Sequence, residues 1–237
     1  MIKFLIIYLW VFLFSLKNSF SQAVDGTFLF AKTVNNSKYL NSKDFSNNKV
    51  LQKTNYYSLY YSDSLSVFKE FQKNINDNDN FEGLFFTDFR KLKYNRYFEL
   101  DNKKYYLSQN VKSYRWKITN ESKKILNFTC YKAVTFLPKN NFSNSNNSFL
   151  VKPLQIEIIV WFTYNLPFPI GPSDFNSLPG AILEVSIDKN TIQYKAIQYK
   201  RNVSNSILAT PQNHVLIDEK KYTELIIKHL KASYKGF

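Results

Sequence analysis

A mainly β fold, built on an antiparallel and strongly curved sheet or half-barrel and followed by a C-terminal helix, is predicted by three features of this 237-residue sequence. Short aromatic and β-branched runs alternate with Asn/Asp/Ser/Lys clusters along most of the chain, as strands separated by turns do. In two later stretches every second residue is apolar and several of those between are polar, the mark of half-buried strands. One segment near the end repeats instead at helical spacing. The length suits one domain large enough to bury a core, and a single cysteine leaves that domain to hold by packing without an intramolecular disulfide.

The elements follow in chain order. Lys3 precedes an apolar run from Phe4 to Leu16, and the polar stretch Lys17-Asn18-Ser19-Phe20-Ser21 comes next. A positive start, an apolar run and small residues at Ser19 and Ser21 predict a secretory signal over residues 1–21, cut before Gln22. The run is shorter than the roughly 17 to 25 residues a membrane span needs. No later run approaches that length, so the mature chain, 22–237, is expected to be one exported, soluble domain without a stable membrane span.

Strand signals then fall at Gly26 to Val34, Tyr56 to Tyr61, Ser64 to Phe71, Gly83 to Phe89, Tyr94 to Leu100 and Lys104 to Leu107. Tyr114, Trp116 and Ile118 alternate with Ser113, Arg115 and Lys117. Cys130 sits in the strand-like Thr129 to Phe136, where a small buried hydrophobe is the natural reading. Asn140 to Ser148 is a polar low-complexity stretch, read as a hairpin loop. Leu154, Ile156, Ile158, Val160 and Phe162 share one face, with Gln155, Glu157 and Thr163 on the other. Ala181, Leu183, Val185 and Ile187 repeat the pattern with Glu184 and Ser186 outward. Finally Asp218 is placed to cap a helix whose Tyr222, Leu225, Ile226, His229 and Leu230 form one apolar face. His229 is expected to pack on that face as a structural histidine.

Composition excludes several functions. There is no G-x-G-x-x-G and no G-x-x-x-x-G-K-[ST], so the common nucleotide folds are not encoded. Two histidines 15 positions apart and one cysteine do not make a usual zinc site, so neither metal nor cofactor is expected. The formal charge of +14 falls to +12 once Lys3 and Lys17 leave with the signal. Only four of the 32 basic residues are Arg, whereas base and phosphate recognition favours Arg, so a solvated lysine surface is expected and a nucleic-acid partner is not.

Four of seven prolines and two of five glycines crowd into Asn165 to Gly180, NLPFPIGPSDFNSLPG. Locked φ angles make this a rigid connection between two strands, with Pro179-Gly180 expected at the centre of a type II turn. The run Trp161-Phe162-Thr163, Leu166-Pro167, Ile170-Gly171-Pro172, Phe175 and Ser177-Leu178-Pro179-Gly180-Ala181-Ile182-Leu183-Glu184 resembles the signature of the GLPGLI family, exported proteins of the Bacteroidota. Trp116-Lys117-Ile118-Thr119, Lys124-Ile125-Leu126 and Cys130-Tyr131-Lys132-Ala133 are similar to that family's upstream elements. Ser177, Ala181 and Asn127 depart from it, standing where the motif has Gly, Leu and Gly. The resemblance implies an exported, mostly β domain and carries no enzymatic activity with it.

The function expected is therefore that of an exported, periplasmic or secreted, non-catalytic envelope protein. Its partner would be an apolar or extended, peptide-like ligand or another envelope protein. Trp161, Phe168, Phe175 and Leu178 are the candidate ligand-binding residues, and Gly171, Pro172, Pro179 and Gly180 the structural motif of the loop. The alternative is a periplasmic or secreted hydrolase acting on peptide or glycan through Glu157 and Glu184, whose carboxyls would have to lie about 5 to 9 Å apart. Alternation instead places both on the outward face, as solvated acids. No G-x-S-x-G elbow is present to serve either histidine.

Overall fold

The computed structural model describes residues 25–36, 51–71, 83–138, 155–201 and 208–234. The predicted signal and the Asn140 to Ser148 loop lie outside the described residues. The strands are β1 (Gly26–Asn36), β2 (Leu51–Tyr61), β3 (Leu65–Glu70), β4 (Leu84–Asp88), β5 (Lys93–Leu100), β6 (Lys103–Asn110), β7 (Lys117–Ile125), β8 (Phe128–Pro138), β9 (Gln155–Thr163), β10 (Ala181–Ile187), β11 (Ile192–Arg201) and β12 (Val215–Ile217). A helix, α1, spans Glu219–Tyr234. Among the described residues these strands form one open sheet in the order β12-β6-β5-β4-β3-β2-β1-β11-β10-β9-β8-β7. Every pair is antiparallel except β12 with β6, so the sheet is mixed rather than purely antiparallel.

Two meanders of sequential strands, β2 to β6 and β7 to β11, flank the central β1. Register aligns one row of side chains across the first half: Phe28, Leu59, Phe68, Phe85, Arg96 and Leu107 are successive cross-strand partners. This row and its neighbours Phe30, Tyr57 and Tyr94 define the inner face, which Tyr194, Val185 and Val160 continue across the second half. The principal core lies here. A smaller apolar cluster of Val67, Phe86, Tyr97 and Leu208 covers part of the outer face.

Alternation is realised in β9, where Ile158, Val160 and Phe162 are buried inward. Residues 111–116 are the exception. Exposure alternates there as the sequence suggests, yet no strand forms until Lys117. The reason is a competing partner: Tyr114 stacks on Phe175 with ring centroids 5.6 Å apart, and Trp116 Nε1 donates to Asn176 O at 3.0 Å. Glu184 also differs from expectation. It points outward but is 7% exposed, because Lys123 Nζ donates to its Oε1 at 2.8 Å.

The proline-rich loop packs onto the inner face, burying Leu166, Ile170, Phe175 and Leu178. Ala181 N donates to Leu166 O at 3.0 Å and Ile182 N to Ile170 O at 2.8 Å, so the loop is tied to its own following strand. The type II turn is not formed, since no glycine among the described residues has positive φ. Gly180 is needed for space: a Cβ there would lie 2.0 Å from Thr163 O. Two loop residues are left-handed, Ser173 at φ 56° and Ser177 at φ 71°, the latter where the resembled motif carries Gly. The Ser177 hydroxyl donates to Lys112 O at 2.8 Å.

The helix begins as read. Asp218 Oδ1 accepts from Lys221 N at 2.7 Å, satisfying one of the free amides of the first turn. Tyr222, Leu225 and Ile226 turn toward the sheet and are half-buried. His229 is not enclosed beneath the sheet; its Nδ1 lies 3.6 Å from Asp101 Oδ1 with over a third of the side chain exposed.

Gly180→Ala is expected to cost about 3 kcal/mol by forcing backbone apart, lowering Tm by about 6 to 12 °C at this length. Ser177→Gly is expected to leave Tm unchanged, because relief of about 1 kcal/mol of positive-φ strain offsets the lost hydrogen bond. Ser177→Ala keeps the strain and loses about 1 kcal/mol. Thermal unfolding followed by circular dichroism checks all three, and an unaltered Tm for G180A would contradict the close approach to Thr163.

Candidate functional site

Arg96 is the one charged member of the inner-face row described above. Alternation in Tyr94-Asn95-Arg96-Tyr97-Phe98 puts it between Tyr94 and Phe98 on the side that faces the core. A guanidinium there needs both packing and hydrogen bonding. The rings of Phe85 and Tyr222 each stand 5.3 Å from it, so the cation is flanked by two aromatic faces. Its Nη1 donates to the Tyr222 hydroxyl at 2.6 Å, which ties β5 to the first turn of α1.

Around this group a cleft of about 530 Å³ opens between β4 to β6, the proline-rich loop and the start of α1. The loop contributes Ser173 and Asp174, with Asp174 paired to Lys112. The helix contributes Glu219, which accepts from Gln109 on β6. Burial, reinforced by the Asp174 carboxylate, drives the Tyr94 phenol well above its ordinary value, and the same two causes act on Tyr114. Both phenols stay protonated throughout the physiological range, Tyr114 donating toward Asp174 and Tyr94 accepting from Ser173. The cleft thus offers guanidinium donors beside Asp174, paired with the Lys112 ammonium, and Glu219, hydrogen-bonded to the neutral Gln109 amide.

The four residues singled out in the sequence do not converge on one site. Phe175 and Leu178 are core residues. Phe168 is half-buried, its ring 5.7 Å from that of Tyr61. Trp161 lies on the opposite, outer face beneath Lys123, whose Nζ is 4.2 Å from the indole centroid. Of the loop motif, Gly171, Pro172 and Gly180 are buried and Pro179 is exposed. Glu184 pairs in register with Trp161, four residues along β9 from Glu157. At about 3.3 Å per residue that separation is about 13 Å. Arg96 itself went unnoticed in the sequence, although an arginine alternating between two aromatics is the signal that finds it.

Cys130 is fully buried, and burial pushes its thiol up to about 11. Thiolate chemistry is therefore suppressed in the folded chain.

Residues 116–184 match a family model described as "Protein of unknown function (Porph_ging)". That match runs from Trp116 through β7, β8 and β9 and the proline-rich loop, and ends at Glu184. It takes in the Asp174 wall of the cleft but not the strand bearing Arg96. No curated protein matches the chain. Two solved structures of PNGF-II, in C2 and P21 space groups, are similar in fold, with TM-scores of 0.59 and 0.60 and 19% sequence identity. The alignments cover 87% of this chain but 33% and 34% of the PNGF-II chains. This chain therefore spans about a third of the length of those structures.

Buried phenols and a buried thiol have a sign. Tyr61 and Tyr94, like Cys130, hold their protons in the folded state above the pH at which the unfolded side chains release them. Stability is expected to be level up to about pH 8.5 and then to fall, by up to about 1.4 kcal/mol per pH unit for each such group once it ionises in the unfolded chain. Urea unfolding between pH 7 and 11 measures this, and a rise in stability over that interval would contradict it. A disulfide thiol reagent at pH 8 is expected to label Cys130 only on unfolding.

Proposed function

We propose that the chain is an exported, non-catalytic binding protein of the cell envelope, whose cleft takes an extended, peptide-like ligand rather than an apolar one. The observation that carries this reading is Arg96, a charged residue held in an otherwise apolar row and opening on a cleft. An apolar ligand has nothing to accept from a guanidinium, whereas carbonyls and a terminal carboxylate accept two parallel bonds. The paired Lys112–Asp174 and Gln109–Glu219 walls add donors and acceptors suited to successive amides. Export rests on the charged, apolar and small-residue pattern of residues 1–21. Assignment to the GLPGLI family rests on the motif from Trp161 to Glu184, within the segment that the family model matches.

Strong curvature of the sheet belongs to the same reading. Phe28 on β1 and Phe128 on β8 have ring centroids 6.2 Å apart. Four strand steps separate β1 from β8, about 19 Å on a flat sheet. Curvature would form a concave inner face that holds the loop and gives the cleft its third wall. The hydrolase alternative depends on Glu157 and Glu184 acting together, and their separation along β9 supports binding over hydrolysis.

Two measurements test the proposal. Mass spectrometry of protein recovered from periplasmic and culture fractions is expected to find a mature terminus at Gln22; a chain retaining Met1 in the cytoplasm would remove the export reading. Anisotropy titrations with labelled unstructured peptides of four to eight residues are expected to show saturable binding that Arg96→Leu weakens at least about tenfold, or 1.4 kcal/mol. Equal affinity of R96L and wild type would take the ligand away from this cleft.

A further inference from the structure

The same end of the sheet carries a second cleft, on its outer face. Alternation in β5 that sends Arg96 inward sends Asn95 and Tyr97 outward, and β6 sends Tyr106 and Ser108 the same way. In register Asn95 lies beside Ser108 and Tyr97 beside Tyr106, giving a polar row next to an aromatic one. The Tyr97 and Tyr106 rings stack at 5.4 Å. Residues 208–214 pass over them as a strap. Leu208 seals one end against Val67, Phe86 and Tyr97, and the His214 ring meets Tyr97 edge-on at 5.2 Å. The space enclosed is about 660 Å³.

Asn95 lines this space, and its Oδ1 is shut off from solvent with no hydrogen-bond partner among the described residues. A buried acceptor without a donor is rare and destabilising, and a sheet built for stability alone would carry an apolar side chain at this position. Asp88, Lys91 and Lys93 also line this space, and each has a partner. Asp88 Oδ1 accepts from the backbone amides of Arg90 and Lys91, each at 3.0 Å, and the Lys91 side chain is mostly exposed. Lys93 Nζ donates to Asn110 Oδ1 at 2.9 Å. Between these partnered charges the cleft is apolar along one row and hydrogen-bonding along the next.

We infer that this outer cleft is a second binding site, for an uncharged ring that carries N–H or O–H donors along one edge and an apolar face. The donor edge meets Asn95 and Ser108; the face lies along Tyr97 and Tyr106. A carboxamide on an aromatic ring and a sugar share this chemistry. Nothing in the assignment depends on Arg96 or on the inner cleft.

Nuclear magnetic resonance titration of the mature chain with benzamide, glucose and benzoate tests it. Benzamide or glucose, at roughly millimolar concentration for so small a ligand, is expected to shift the signals of Asn95, Tyr97 and Ser108. The arm that responds identifies the source of the donor edge. Benzoate, a carboxylate of the same shape, is expected to leave them in place. Asn95→Leu should weaken the responding probe at least about tenfold while its Tm stays equal to or above that of wild type, since an apolar side chain replaces an unmatched acceptor. Silence with both neutral probes, an equal response to benzoate, or full affinity in N95L would each overturn the proposal. Should N95L fail to fold, Ser108→Ala read with the same probe decides the matter, with undiminished binding counting against it.

Discussion

The contact between Gly180 and Thr163 closes to a distance at which no side chain fits between the two backbones. Everything around the proline-rich loop depends on that approach. It brings the end of the loop against the end of β9, so that Ala181 reaches Leu166 and Ile182 reaches Ile170. Leu166, Ile170, Phe175 and Leu178 then enter the core as a group. Phe175 and Asn176 in turn draw Tyr114 and Trp116 out of strand geometry, and the turn between Pro172 and Phe175 leaves Asp174 as a wall of the inner cleft. A rigid loop thus shapes a surface while being itself mostly interior.

Much of this was legible from residue order. Strands β1, the second half of β2 and β3 to β6 announce themselves through aromatic and β-branched runs between turn residues, and β9 and β10 through alternation, because a period of two is the direct imprint of burial on one face. The helix and its Asp218 cap were legible for the corresponding reason at a period of 3.6. What escaped were properties set by partners distant in sequence. Residue order suggests positive φ at Gly180, whereas the position needs an absent Cβ, and glycine in a sequence does not distinguish the two. Glu184 was read as solvated because Lys123, which covers it, comes from β7, and nothing local announces that these strands approach. Arg96 gained meaning only once register aligned it with Phe85 and Phe68.

The two clefts share an origin. Both are cut from β4, β5 and β6, one per face, with the outer one reaching β3 as well, and both are bounded by the C-terminal segment. Residues 208–214 lie across the outer face, β12 runs beside β6 at the sheet edge, and α1 lies on the inner face. Adjacent residues of β5 therefore serve opposite sides: Arg96 the inner cleft, Asn95 the outer.

The position of β1 has a consequence for how such a chain assembles. Each meander is made of neighbours in sequence and can form by local pairing, but the two are joined in the sheet through β1 and β11, where Gly26 meets Arg201. Loop closure over so long a stretch is slow compared with hairpin formation. A chain emerging N-terminus first holds β1 against β2 with its other edge open until β11 arrives. The bulge between Leu29 and Phe30 in that late pairing falls on the central seam, where a slip of one residue would invert the faces of an entire half.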